Sequence, residues 1–195
     1  MKLGKIEKWF INRESHSKEV IGKAESLLGI IDIKNDQSFL EIGCGSGPVS
    51  RYVSEKYKIE VVGTDVDEDQ IESAKKSART LKNITFLAAD ATDLPFEDNS
   101  FDIILSINVL HHISSWMDAL KEIDRVLKKG GFLLLAEILF KKWTQGIAKL
   151  YSRQAYGITT LDNLNLFITK NHYFALNTIL SRSLMWDSLE AVYRK

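Results

Sequence analysis

The stretch SFLEIGCGSG, Ser38 to Gly47, decides the fold. Phe39, Leu40 and Ile42 around the acid Glu41 make a short apolar run of strand character, and Gly43, Gly45 and Gly47 follow at every second position. Pro48, suited to the first position of a helix, opens PVSRYVSEKY, in which Val49, Tyr52, Val53 and Tyr57 share one helical face. Glycines at such a junction let the chain turn sharply and let a ligand approach the backbone, while the new helix presents unpaired amides. The glycines alone could be a plain strand-to-helix turn; their surroundings decide otherwise.

Outward from this unit, strands alternate with helical periods, the pattern of βαβ units around a parallel sheet. Glu60 to Thr64 reads as a second strand, Glu68 to Leu81 as a helix with Ile71, Ala74, Ala78 and Leu81 on one face, and Ile84 to Ala89 as a third strand. TDLPFEDNS, starting at Thr92, is a loop, and FDIILS from Phe101 is a fourth strand. Trp116, Ala119, Leu120, Ile123 and Leu127 stripe the next helix, stopped at Gly130-Gly131 before the strand FLLLAE. A helix over Leu161 to Asn171 precedes two runs, Phe174 to Ser181 and Trp186 to Arg194, that pair as an edge hairpin. The sequence predicts one domain. Residues 1–37 form a helical cover, 38–137 the ligand-binding core, 138–160 a candidate substrate lid, and 161–195 the final helix and hairpin.

Asp65 ends the second strand about 20 residues after the glycine turn, where a Rossmann-like fold sets a carboxylate against the ribose of a nucleoside. Asp67 is the better cap for the helix that starts at Glu68. A nicotinamide dinucleotide is the obvious competitor, but its fingerprint needs glycine where Pro48 stands. The loop therefore favours a nucleoside without a pyrophosphate.

Lys plus Arg and Asp plus Glu balance at 26 each, so no global field draws the chain to nucleic acid. The lone cysteine, Cys44, fits a reducing, cytoplasmic setting, and no cluster of metal-ligand spacing accompanies it. The charged N-terminus lacks the apolar stretch of a signal peptide, and the run Gly131 to Phe140, broken by Glu137, is too short to span a bilayer.

In FLEIGCGSG, VVGTD, FLAADATDLPFEDNSFDIILS, NVLHHI and LKEIDRVLKKGG, taken in order, the chain resembles the class I S-adenosylmethionine-dependent methyltransferases, particularly small-molecule enzymes related to those of quinone pathways. The resemblance covers nearly everything from Phe39 to Gly131. It departs where Glu41 replaces the family's frequent aspartate and where Lys129 replaces proline. It implies a Rossmann-like seven-stranded mixed sheet of order 3-2-1-4-5-7-6, with strand 7 antiparallel and helices on both faces, complete at Lys195. It also implies S-adenosylmethionine as cofactor. Glu41, Gly43, Cys44, Gly45 and Gly47 would form the cradle, Asp65 and Val66 would meet the ribose side, Asp90 and Ala91 the adenine, and the backbone of Ser106 and Ile107 the methionyl end.

The reaction implied is methyl transfer to a small-molecule acceptor, which a lid formed by the segment described below would make hydrophobic or aromatic. The same architecture also serves non-catalytic cofactor-binding proteins and other nucleoside-using transferases. Displacement at a sulfonium methyl depends chiefly on positioning, and an oxygen or nitrogen acceptor that must shed a proton gains from a nearby base. His111 and His112 are the candidates by sequence, against the alternative that they only pack and hydrogen-bond. Adjacent histidines make poor metal ligands, and no metal is expected. Cys44 is expected to pack or meet the cofactor by its backbone rather than act as a nucleophile.

In KKWTQGIAKLYSRQAY, Lys141 to Tyr156, helical spacing places Trp143, Ile147, Leu150 and Tyr151 on one face, with basic residues beside it. The segment is either a cover for the sheet or, with Trp9 and Phe10, a lid over the acceptor. If it is a lid, replacing Trp143 and Tyr151 by alanine lowers methylation of the acceptor far more than cofactor affinity. Normal turnover in both variants, measured by product formation, assigns the segment to packing instead.

Overall fold

The computed structural model describes residues 13–140, 160–184 and 186–195, with only the backbone of Phe140. Its elements are α1 (Glu14–Leu28), β1 (Ser38–Ile42), α2 (Pro48–Tyr57), β2 (Glu60–Asp65), α3 (Glu68–Ser77), β3 (Ile84–Ala88), β4 (Phe101–Ile107), a 3-10 turn (Leu110–His112), α4 (Trp116–Val126), β5 (Leu127–Phe140), α5 (Leu161–Lys170), β6 (Phe174–Arg182) and β7 (Trp186–Arg194). The segments containing Trp9, Phe10, Trp143 and Tyr151 lie outside the described residues.

The strands form one sheet in the expected order β3-β2-β1-β4-β5-β7-β6. β1 to β5 run parallel, and β7 is antiparallel to both β5 and β6. Period-2 alternation along the central strands feeds two cores. Leu40, Ile42, Ile104, Leu133, Leu135, Leu189 and Ala191 pack under α4 and α5. Phe39, Val61, Ile103, Leu105, Leu134 and Val192 pack under α1 and α2. Strands buried on both faces explain why β1 and β4 read as nearly continuous apolar runs.

Three local readings differ from the sequence. α3 ends at Ser77 although its apolar stripe continues, because Ala78 already caps it through Ala74 O and Leu81 reaches the same cluster from the turn beyond. α4 ends at Val126, before Gly130-Gly131, and both glycines lie inside β5. There Gly130 takes a left-handed φ of 80° and a Cβ on Gly131 would stand 2.8 Å from Asp102 O, so glycine serves a close strand approach rather than a helix stop. The loop after β3 is tied down by α4: Arg125 donates to Leu94 O and Phe96 O, and Leu94 N donates to Glu122.

Gly63 in β2 faces α2, and an added Cβ would meet Phe86 at 2.7 Å and Ser50 Oγ at 2.8 Å. Gly63→Ala should therefore destabilise the fold by about 1–3 kcal/mol through overpacking. Urea unfolding measures this, and an unchanged midpoint would contradict the packing described.

Candidate functional site

β1 lies between β2 and β4, parallel to both, and the chain leaves it toward β2 but returns at β4. The crevice beyond the carboxyl ends of these strands is the switch point where open α/β sheets bind ligands. A cavity of about 780 Å³ occupies it, within the range of small-molecule sites. Its floor is the glycine turn, with φ of 68°, 53° and 79° at Gly43, Gly45 and Gly47. Cys44 N donates to Thr64 O at 2.8 Å, tying the turn to β2.

The glycines divide the work. A Cβ on Gly43 would stand 2.4 Å from Val109, so this glycine lets the turn pack against the segment after β4. A Cβ on Gly47 would collide with Phe86 of β3 and stand 3.1 Å from Ala74 of α3, which makes Gly47 a packing position against these two elements. Gly45 has nothing within 4 Å of a Cβ position, so its bare backbone borders open space in the cavity.

Asp65 is fixed from two sides: Gly45 N donates to Oδ2 and Asp67 N to Oδ1, each at 2.9 Å. Burial pushes its carboxyl above the ordinary range, opposed by these two amides. Each oxygen keeps acceptor capacity for a ligand. Asp67 caps α3, accepting from Asp69 N at 3.0 Å. Burial likewise raises the Cys44 thiol well above its usual value, which suits packing and not nucleophilic attack. Asp90 lies at the rim, its Oδ1 accepting from the amide and hydroxyl of Thr92.

The opposite wall is built after β4. Asn108 takes a left-handed φ of 56°, its amide donating to Ala136 O. The turn that follows is held by Glu137 of β5, whose side chain is fully buried. Glu137 Oε1 accepts from Val109 N at 2.8 Å, Leu110 N at 3.0 Å and the Ser106 hydroxyl at 3.4 Å. Its Oε2 faces His111 Nδ1 at 3.0 Å.

Of the residues singled out by sequence, Glu41, Gly43, Cys44, Gly45, Asp65, Val66, Asp90, Ala91, Ile107, His111 and His112 line the cavity together. Gly47 and Ser106 do not: the first packs against Phe86 and Ala74, and the second is fully buried with its hydroxyl turned to Glu137. Sequence reasoning missed His16 and Val20, brought to the cavity from α1, and missed Glu137 as the anchor of the His111 turn. The one signal for Glu137 was a charge interrupting an apolar strand. Among the described residues, no group of three or more His, Cys, Asp or Glu side chains could hold a metal ion.

Residues 40–135 match the model of the methyltransferase domain family. The chain therefore carries a methyltransferase domain of the class I type. It is 33% identical over 113 residues to a demethylmenaquinone methyltransferase of Staphylococcus epidermidis, covering 57% of this chain and 47% of that protein. It is 30% identical over 118 residues to the 27-O-demethylrifamycin SV methyltransferase of Amycolatopsis mediterranei, covering 59% of this chain and 43% of that one. The matches thus span about half the length of these curated relatives. A solved SAM-dependent methyltransferase from Aquifex aeolicus superposes with a TM-score of 0.72 at 18% identity, over 98% of this chain and 99% of that one, and shares the fold.

Within this methyltransferase domain, Glu41 stands at the end of β1 with Ser50 Oγ donating to its Oε2 at 2.5 Å. Burial pushes its carboxyl up to about 8, partly offset by the Ser50 hydroxyl and reinforced by Asp65. The unfolded chain releases this proton near 4.5 and the folded chain near 8, so between these values the folded state binds more protons and loses stability as pH rises. Glu41→Gln keeps an acceptor for Ser50 and removes that slope. The variant should gain stability over wild type progressively from about pH 4.5 to 8, on the order of 4 kcal/mol across the window. Urea unfolding at several pH values tests this, and a pH-independent difference would refute the neutral Glu41.

Proposed function

We propose that the cavity binds S-adenosylmethionine and that the protein transfers its methyl group to a small, largely apolar acceptor. The observation that carries the reading is the bare backbone of Gly45, open to the cavity and bonded to the fixed carboxylate of Asp65. A side chain at position 45 would fill the space that a ligand lying along the turn needs. The residues present fit the cofactor.

In this reading the backbone of Gly43 and Gly45 receives the methionyl portion and the free lone pairs of Asp65 take the ribose hydroxyls. Val66, partly exposed beside Asp65, supplies an apolar surface for the adenine, Asp90 meets its amino group, and the Ala91 amide meets the ring. The backbone of Ile107 borders the methionyl end. When bound, the cofactor supplies a methyl group on a positively charged sulfur, and the acceptor gains that methyl as it gives up a proton. The protein's part is to align the acceptor and exclude water. Val20, Val109, Ile113 and Ile138 furnish apolar lining for such an acceptor, and the two curated relatives are named for small-molecule acceptors. The single buried thiol supports a cytoplasmic setting for this activity. Among the described residues no helix is long and apolar enough to cross a membrane.

Asp65→Ala should weaken binding of adenosylmethionine roughly 10- to 100-fold, the worth of hydrogen bonds to a charged group. Because Asp65 also holds the amides of Gly45 and Asp67, the variant is paired with Asp65→Asn, which keeps one acceptor and should lose less. Calorimetry reads the affinities and thermal melts check the fold. Unchanged affinity in a folded Asp65→Ala protein would remove Asp65 from the cofactor site.

A further inference from the structure

β6 is the outermost strand of the sheet and, among the described residues, pairs only with β7. Along its other side every second residue points a backbone N–H and C=O outward, a ladder open to a further strand. The described residues expose nine large apolar side chains, and five of them, Phe174, Leu176, Ile179, Leu184 and Trp186, lie in this one hairpin. Apolar residues scattered singly over a surface need no explanation, whereas a concentration at one edge marks an interaction site. Phe174 is 70% exposed and Ile179 53%, so the partner strand β7 does not cover them.

Edge strands that stay single are short, carry Lys or Pro, or are twisted away by bulges. β3, at the opposite edge, is protected by its length of five residues. β6 has nine, with neither charge nor proline from Phe174 to Ser181. Its bulge lies between Ala175 and Asn177, near its start, and Asn177 to Arg182 continue in regular register. Arg182 stands opposite Asp187 of β7, so the charge at the end of the strand faces one of opposite sign.

These features select the occupant. A neutral strand laid antiparallel against its own copy is related to it by a two-fold axis, the commonest symmetry of soluble oligomers. With the axis at Ile179, Thr178 faces the partner's Leu180 and Asn177 faces the partner's Ser181. Thr178 and Leu180 share one face of the sheet, Asn177 and Ser181 the other, so the pleats match and no like charges meet. The five exposed side chains leave roughly 500 Å² of apolar surface on each copy, so two copies reach the roughly 1,000 Å² that a specific interface needs.

We propose that β6 pairs antiparallel with β6 of a second copy about a two-fold axis at Ile179, joining the two seven-stranded sheets edge to edge. β7 and β5 stand between this edge and β4, so the pairing leaves the cavity open. The half-turn between copies sets their two cavities at opposite ends of the joined sheet. The inference is independent of the cofactor reading.

Analytical ultracentrifugation of the full chain from about 1 to 100 µM tests it, and the wild type should sediment as a dimer that dissociates in the low micromolar range. Ile179→Lys sets two ammonium groups against each other at the axis and should weaken the dimer about 100-fold or more. Leu166→Lys, at a 67% exposed site on α5, should leave it unchanged. Thermal melts establish that both variants fold. As a second measurement, a short bismaleimide should link copies of Ile179→Cys and not copies of Leu166→Cys, since the native Cys44 is buried. A wild type that is monomeric throughout overturns the proposal. So does a dimer that Ile179→Lys leaves intact or that both lysine variants weaken equally, and so does an Ile179→Cys protein that the reagent does not link. A monomer that floats with phosphatidylcholine vesicles would assign the hairpin to lipid and overturn it as well.

Discussion

β1 hydrogen-bonds to β2 on one side and β4 on the other, both parallel to it, and every feature of the site follows from this placement. Parallel neighbours on both sides bring three carboxyl ends to one edge of the sheet. The chain must leave that edge toward opposite faces, which opens the crevice. Because Leu40 and Ile42 feed one core while Phe39 feeds the other, β1 cannot slip by one residue without exchanging both. The register fixes Glu41 opposite Gly63 and Ile42 opposite Ser106, and so sets where the glycine turn begins.

Two buried acids then shape the two walls by different means. Glu41 is held neutral by burial and receives the Ser50 hydroxyl, so it joins β1 to α2 without placing a charge beneath the glycine turn. Glu137 instead satisfies two backbone amides and a ring nitrogen, an arrangement that makes a buried acid tolerable and gives its partner a defined orientation. Removing either partner would leave a polar group buried and unmatched.

Much of this was legible in the sequence, for identifiable reasons. β1 and the start of α2 are dictated locally, by an apolar run, three spaced glycines and Pro48 at the first helical turn. Asp67 capping α3 follows from its position alone. The α3 end was misread because burial of Leu81 continues the apolar stripe after the helix has stopped. Gly130-Gly131 was misread as a helix stop because a strand's need for close approach to Asp102 is invisible in one dimension. The candidates that line the cavity were legible as a group because they stand at strand ends. Glu137 and His16 were missed because their partners are remote in sequence, and Gly47 and Ser106 stand in the expected motifs but turn away from the cavity.

The proposed binding of adenosylmethionine along the backbone of the cavity at the ends of β1 and β2 is open to direct measurement. Amide hydrogen exchange, followed with and without adenosylhomocysteine, addresses it at the residues concerned. Slowed exchange is expected at Gly43 to Ser46 and Val66 to Asp67, together and in proportion to occupancy. Protection there by a nicotinamide dinucleotide and none by adenosylhomocysteine would contradict it.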